Sequence, residues 1–163
     1  MLEGLSPPSF EVKICHPAAL TERCQFLDRP LVFTNGVFDI LHRGHVTYLS
    51  RARDLGSALV LALNSDQSVK RLGKGDDRPI NTLQDRMAVA ASLTCVDLVT
   101  WFEEDTPLET IQLVMPDVLV KGGDWAVEHI VGNQLVWDRG GSVVAIPFEH
   151  ERSTTALLSK IRR

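Results

Sequence analysis

Along the chain, short continuous apolar runs alternate with segments whose apolar residues recur at helical spacing. The runs Leu31–Phe33, Ala58–Leu63, Val96–Trp101, Val118–Val120 and Ser142–Pro147 predict five strands. Between them, Val46, Leu49, Ala52 and Leu55 share one face of a helix from about residue 43 to 55, with Gly56 as its stop. A short helix is expected from Gln67 to Leu72, then a polar loop from Gly73 to Arg78. Thr82 followed by Asp85 opens a helix to about Leu93, and Thr106-Pro107-Leu108-Glu109 opens another that ends before Pro116. A helix from about Val127 to Trp137 and a last one from about Thr155 to Arg162 complete the series.

Strands without inside–outside alternation are buried on both faces, which is the mark of a parallel sheet covered by helices. Right-handed crossovers then give an α/β fold: a Rossmann-like, doubly wound, parallel five-stranded sheet. The regular pattern begins after Pro30. Residues 1–28 therefore read as an N-terminal extension with a short helix, and 29–163 as one domain. Ligands of such folds bind outside the carboxyl ends of the strands.

Composition narrows the partners. Seventeen basic against 21 acidic residues give a net charge of −4, which disfavours a nucleic acid held by general charge but permits a small anion. Cys15, Cys24 and Cys95 are odd in number and lack CxxC spacing, so neither a disulfide framework nor a thiolate zinc site is expected. The first residues lack a basic, apolar leader pattern, and no apolar run approaches membrane-spanning length. The expectation is a cytoplasmic protein with no membrane partner.

The sharpest chemical signal is His42-Arg43-Gly44-His45, between the first strand and its helix. Histidines three apart at a helix start project to one side. Gly44 leaves room for a phosphate, and the helix N-terminus adds free N–H groups and a positive dipole end. This is equipment for a triphosphate, whose transfer needs positioning and charge stabilisation more than covalent help. Two surface histidines or a metal site are the competing readings, although no third His or Cys lies nearby in a ligand pattern.

The stretch TNGVFDILHRGH (34–45) resembles the nucleotidyltransferase superfamily that carries the HxGH signature. With LNSDQSVKRLGKGDDRPIN, DRM, FEEDTP, PDVLVKGGDW and STT in this order, residues 31 to 161 more narrowly resemble the heptose 1-phosphate adenylyltransferases of lipopolysaccharide precursor synthesis. The sequence contains no sugar kinase segment, so the likeness is to a stand-alone form. The resemblance implies Mg²⁺-dependent reaction of ATP with D-glycero-β-D-manno-heptose 1-phosphate, giving ADP-heptose and pyrophosphate. A homodimer and a separate heptose kinase as functional companion are implied by resemblance alone.

The same resemblance sets expected roles. His42 and His45 would stabilise charge on the phosphates as donors. Thr34, Asn35, Gly36, Phe38, Lys121, Gly122, Gly123, Asp124, Ser153, Thr154 and Thr155 would bind the nucleotide. Lys74, Arg78 and Arg86 would clamp phosphate or substrate, and Asp39 is a weak candidate for the metal. Phe148-Glu149 stands where the glycerol-phosphate cytidylyltransferases carry an Arg-Thr pair, which argues against the cytidylyl branch. A CTP-dependent enzyme acting on a polyol or alcohol phosphate, and a nucleotide sensor without turnover, are the alternatives.

Overall fold

The structure, a computed structural model, describes residues 6–73, 75, 77–149 and 154–161. Five strands, β1 (Leu31–Gly36), β2 (Ala58–Asn64), β3 (Leu98–Phe102), β4 (Val118–Gly122) and β5 (Ser142–Ile146), form one sheet in the order β3-β2-β1-β4-β5. Every pairing is parallel. The chain winds outward from β1 to β3, then returns to the other side of β1 to lay down β4. The ends of β1 and β4 therefore flank the crevice at which the winding reverses, where a ligand site is expected.

Alternate side chains of each strand feed opposite faces. Leu31, Phe33, Val60 and Leu98 pack with α1 (Leu20–Cys24), α5 (Leu108–Val114) and α6 (Asn133–Trp137). Val32, Leu59, Leu61 and Val99 pack with α2 (Arg43–Arg53) and α4 (Leu83–Ala91). Fully burying one such side chain contributes about 1.5–3 kcal/mol. Two short helices complete the chain, α3 (Asp66–Arg71) and α7 (Thr154–Ile161).

The N-terminal segment is built into this body. Cys15, Leu20 and Cys24 belong to one core, and Ile14 forms a parallel bridge with Val99 on the β3 edge. The three cysteines are free thiols, and burial pushes Cys24 up to about 11. Among the described residues, no helix is long and apolar enough to cross a membrane.

Two local expectations are corrected. The helix expected from Val127 to Trp137 is interrupted: a 3-10 turn covers Val127–His129, and α6 begins only at Asn133. Gly132 lies between them with φ +88, a conformation outside the helical region, and Ile111 occupies the space a side chain there would need. At α5 the cap position falls on Pro107, with no side-chain cap hydrogen bond, so Thr106 does not close the start. Thr82 does act as expected on α4, accepting from Asp85 N at 3.3 Å.

Candidate active site

β1 ends at Gly36, and the chain crosses to α2 through Val37–His42. Phe38 adopts φ +45, a backbone conformation that is uncommon for a bulky residue. Its ring turns back over Gly36, where an added Cβ would stand 2.7 Å from Phe38 Cε2. Glycine is therefore required at 36 for this loop to close. Beyond it, His42 is the cap residue of α2 in extended conformation, with no side-chain cap bond, and His45 sits in the first turn. The two imidazoles stack with centroids 3.8 Å apart, and Phe38 lies 5.1 Å from His45 on another side.

This packing sets the charge state. Burial is the main cause that lowers the pKa of His45 to about 4, reinforced by His42 and partly opposed by the Ile40 carbonyl. At neutral pH His45 is a neutral imidazole. Two stacked rings at the positive end of an 11-residue helix form a rigid pair whose N–H donors need no reorganisation when an anion arrives.

A cavity of about 450 Å³ opens over the pair. Of the residues singled out in the sequence, it brings together Asn35, Gly36, Phe38, Asp39, His42 and His45 with Arg78, Lys121, Gly122 and Thr154. Lys121 Nζ donates to Asn35 Oδ1 at 3.5 Å, across the β1–β4 crevice.

Other candidates fall elsewhere. Thr34 is fully buried behind the cavity, hydrogen-bonded to the Tyr48 hydroxyl at 2.5 Å. Arg86 lies beneath the loop, 2% exposed, and donates to Val37 O, Asn81 O and Asp66 Oδ1 at 2.8, 3.1 and 2.7 Å. The structure thus gives Arg86 an internal bracing task instead of a phosphate-facing one. Asp39 likewise spends its carboxylate on Arg78 Nε at 2.6 Å and on the amides of Ile80 and Asn81. Gly123 and Asp124 are not in the cavity wall; Gly123, at φ +112, turns the chain after β4 and Asp124 is exposed. Lys74, Ser153 and the side chain of Thr155 lie outside the described residues.

The wall also contains Val37, Tyr48 and Phe148, to which the sequence assigns no role, and Trp125 of the KGGDW segment, where base or ribose recognition is expected. Tyr48 lies one helical turn after His45, a spacing that could have placed it on the same face. Its hydroxyl is held by Thr34 and by the Gly122 carbonyl, and with burial as the main cause its pKa is raised well above the ordinary value. Phe148 packs edge-on to Tyr48 at 5.7 Å, and Trp125 donates from Nε1 to Gly122 O at 3.2 Å. Trp125 and Phe148 are about half exposed, two aromatic faces at the rim. No local pattern marks Phe148; only its place after a strand end does.

The described residues offer no ready protein cage for Mg²⁺. Asp39 is already committed, and among the described residues no group of three or more His, Cys, Asp or Glu side chains could hold a metal ion.

Comparison with known proteins agrees with this fold. The family model described as Cytidylyltransferase-like matches residues 33–157, from within β1 to the middle of α7. The chain belongs to the cytidylyltransferase-like family. It is 58% identical over 161 residues to a protein of Bordetella bronchiseptica named D-beta-D-heptose 1-phosphate adenylyltransferase, covering 98% of this chain and 99% of that one. It is also 58% identical over 132 residues to the "Bifunctional protein HldE" of Haemophilus ducreyi, but spans only 28% of that longer chain. Among solved structures, a lipopolysaccharide core biosynthesis protein from Thermoplasma volcanium superposes with TM-score 0.60 at 29% identity, covering 75% of this chain and 98% of that one. A pantoate-beta-alanine ligase from Francisella tularensis also reaches TM-score 0.60, at 15% identity, over 87% of this chain and 68% of its own, a likeness of fold alone.

Proposed function

We infer that this chain transfers the adenylyl group of ATP to D-glycero-β-D-manno-heptose 1-phosphate, forming ADP-heptose and pyrophosphate for lipopolysaccharide core precursor synthesis. The observation that carries the reading is the stacked His42–His45 pair at the N-terminus of α2, facing Lys121 across the crevice of a nucleotidyltransferase-type sheet. The named relative of nearly equal length supports the choice of nucleotide and sugar.

The reaction is an in-line displacement. An oxygen of the sugar phosphate bonds to the α-phosphorus of ATP, the bond from that phosphorus to the bridging oxygen breaks, and pyrophosphate leaves with the electron pair. His42 and His45 donate hydrogen bonds to the phosphate oxygens as charge moves onto the leaving group. The α2 amides add to this, and Lys121 neutralises charge at the crevice. Trp125 and Phe148 provide apolar faces for the base, while Thr154 lies in the same wall. Arg78, in that wall and anchored through Nε by Asp39, is the described cation set to meet the outer phosphates. Mg²⁺ would enter with ATP, held chiefly by phosphates and water, as this ion commonly is. The sugar 1-phosphate would come from a separate kinase.

The test is pyrophosphate release with heptose 1-phosphate and Mg²⁺, run in parallel with ATP and CTP. The reading expects release with ATP and little with CTP. Faster release with CTP would overturn the nucleotide, and tight ATP binding without any release would mark a sensor.

A further inference from the structure

Tyr48 stands on α2 one turn beyond His45 and is only 4% exposed, although it belongs to the wall of the histidine cavity. A buried phenol is chemically demanding at this point of the helix. Packing against the sheet needs apolar area alone, which a leucine would supply; a buried hydroxyl also needs hydrogen-bond partners. Both partners come from the sheet. The hydroxyl meets Thr34 Oγ1 at 2.5 Å and is also bonded to the Gly122 backbone. Thr34 belongs to β1, where it pairs with Val120 of β4, and Gly122 ends β4 just beyond. One oxygen carried by the histidine helix is therefore seated against both strands that flank the crevice.

The surroundings leave the ring little room. Phe148 packs edge-on to it at 5.7 Å, and a Cβ added at Gly122 would stand 3.2 Å from Tyr48 Cε2 and 2.7 Å from Phe148 Cζ. Gly122 O also accepts from Trp125 Nε1 at 3.2 Å, so the rim tryptophan hangs on the same residue of β4. The charge chemistry lies next to each end of this contact. His45 comes one turn before Tyr48 on α2, and Lys121 immediately precedes Gly122 on β4.

We propose that Tyr48 is a positioning residue for the transfer reaction: its hydroxyl, seated between Thr34 and Gly122, sets how far the His42–His45 pair stands from Lys121. The role rests on the nucleotidyl-transfer reading above. It gives Thr34, buried behind the cavity, a part in the reaction without contact with the nucleotide. Donors that stabilise charge only as it develops must be held close to their productive geometry. Ground-state binding is spread over the whole nucleotide and tolerates a small shift of one element. A displacement of α2 against β4 therefore falls on kcat before it falls on affinity.

Three variants test it. Tyr48→Phe keeps the ring and removes the hydroxyl, Thr34→Val removes the partner and keeps the branched shape, and Thr34→Ser keeps the partner. Each is assayed for pyrophosphate release with ATP, heptose 1-phosphate and Mg²⁺, with ATP affinity read by calorimetry. Tyr48→Phe and Thr34→Val are each expected to lose about tenfold in kcat, while ATP affinity stays within about threefold of wild type. Thr34→Ser should recover most of that loss. The double variant Tyr48→Phe/Thr34→Val should be about as slow as either single one, because the two hydroxyls act as a unit. A kcat for Tyr48→Phe within about twofold of wild type, losses that multiply to about a hundredfold in the double variant, or ATP affinity that falls in step with kcat overturns the positioning role alone. Should Tyr48→Phe fail to fold, Thr34→Val against Thr34→Ser carries the test, and equal kcat in those two overturns the role. A wild type that releases no pyrophosphate with the sugar phosphate overturns both this role and the reaction.

Discussion

Arg78 and Asp39 form an ion pair inside the protein, with side chains 8% and 0% exposed and Nε 2.6 Å from Oδ2. Through it the polar segment after α3 is tied to the loop that carries the histidines. Removing one member of a buried pair strands the other charge, at a cost of about 3–5 kcal/mol. Arg78→Ala is expected to lower stability in denaturant unfolding by about 3 kcal/mol, softened by the amides that remain on Asp39. ATP affinity, read by calorimetry, should fall as well, because one of the two Lys/Arg side chains among the described residues of the cavity wall is gone. Unchanged unfolding would show that the pair does not hold the loop.

His45→Ala removes the inner ring of the stack without touching the strands. Loss of one preorganised donor to developing charge typically costs about a hundredfold or more in kcat. That loss, with a native-like melting curve, is the expected result for this variant. Turnover within a few-fold of wild type would remove His45 from the chemistry.

The depressed pKa of His45 gives a pH signature. The folded protein holds the ring neutral down to about 4, whereas the unfolded chain protonates it near the ordinary 6.5. The unfolded state therefore binds more protons between these values, and this contribution to stability is lost as pH falls from 6.5 toward 4. Histidine resonances followed by NMR should show one ring titrating near 4 in the free protein, moving upward once ATP brings negative charge beside it. A midpoint at or above the ordinary value in the free protein would contradict the burial that defines the site.

Gly36→Ala tests the turn. A methyl at 36 would press on the Phe38 ring, itself buried and 5.1 Å from His45. The ring cannot yield without moving the imidazole, so ATP affinity is expected to drop about tenfold, the scale of a 1–2 kcal/mol overpacking strain. Affinity equal to wild type would mean the loop has another way to close.

Much of this was legible because parallel strands buried on both faces leave unmistakable apolar runs; Ala58–Asn64 is buried at every position. The histidine pair was legible because its two members are neighbours on one turn. What escaped the sequence depends on contacts between distant segments. Thr34 and Arg86 carry polar groups suited to a ligand, but Tyr48 takes the first, and Val37, 49 residues away in sequence, helps take the second. Helical spacing runs unbroken through Val127–Trp137, and only the packing of Ile111 against Gly132 shows why the helix breaks there. Phe148 reaches the cavity wall because β5 lies beside β4, a fact of topology instead of local pattern.

The Tyr48 hydroxyl, held by Thr34 of β1 and by the Gly122 backbone at the end of β4, fastens the helix that carries the histidines to both strands flanking the crevice. Movement of either strand tip is thereby handed to the imidazoles through a single side chain.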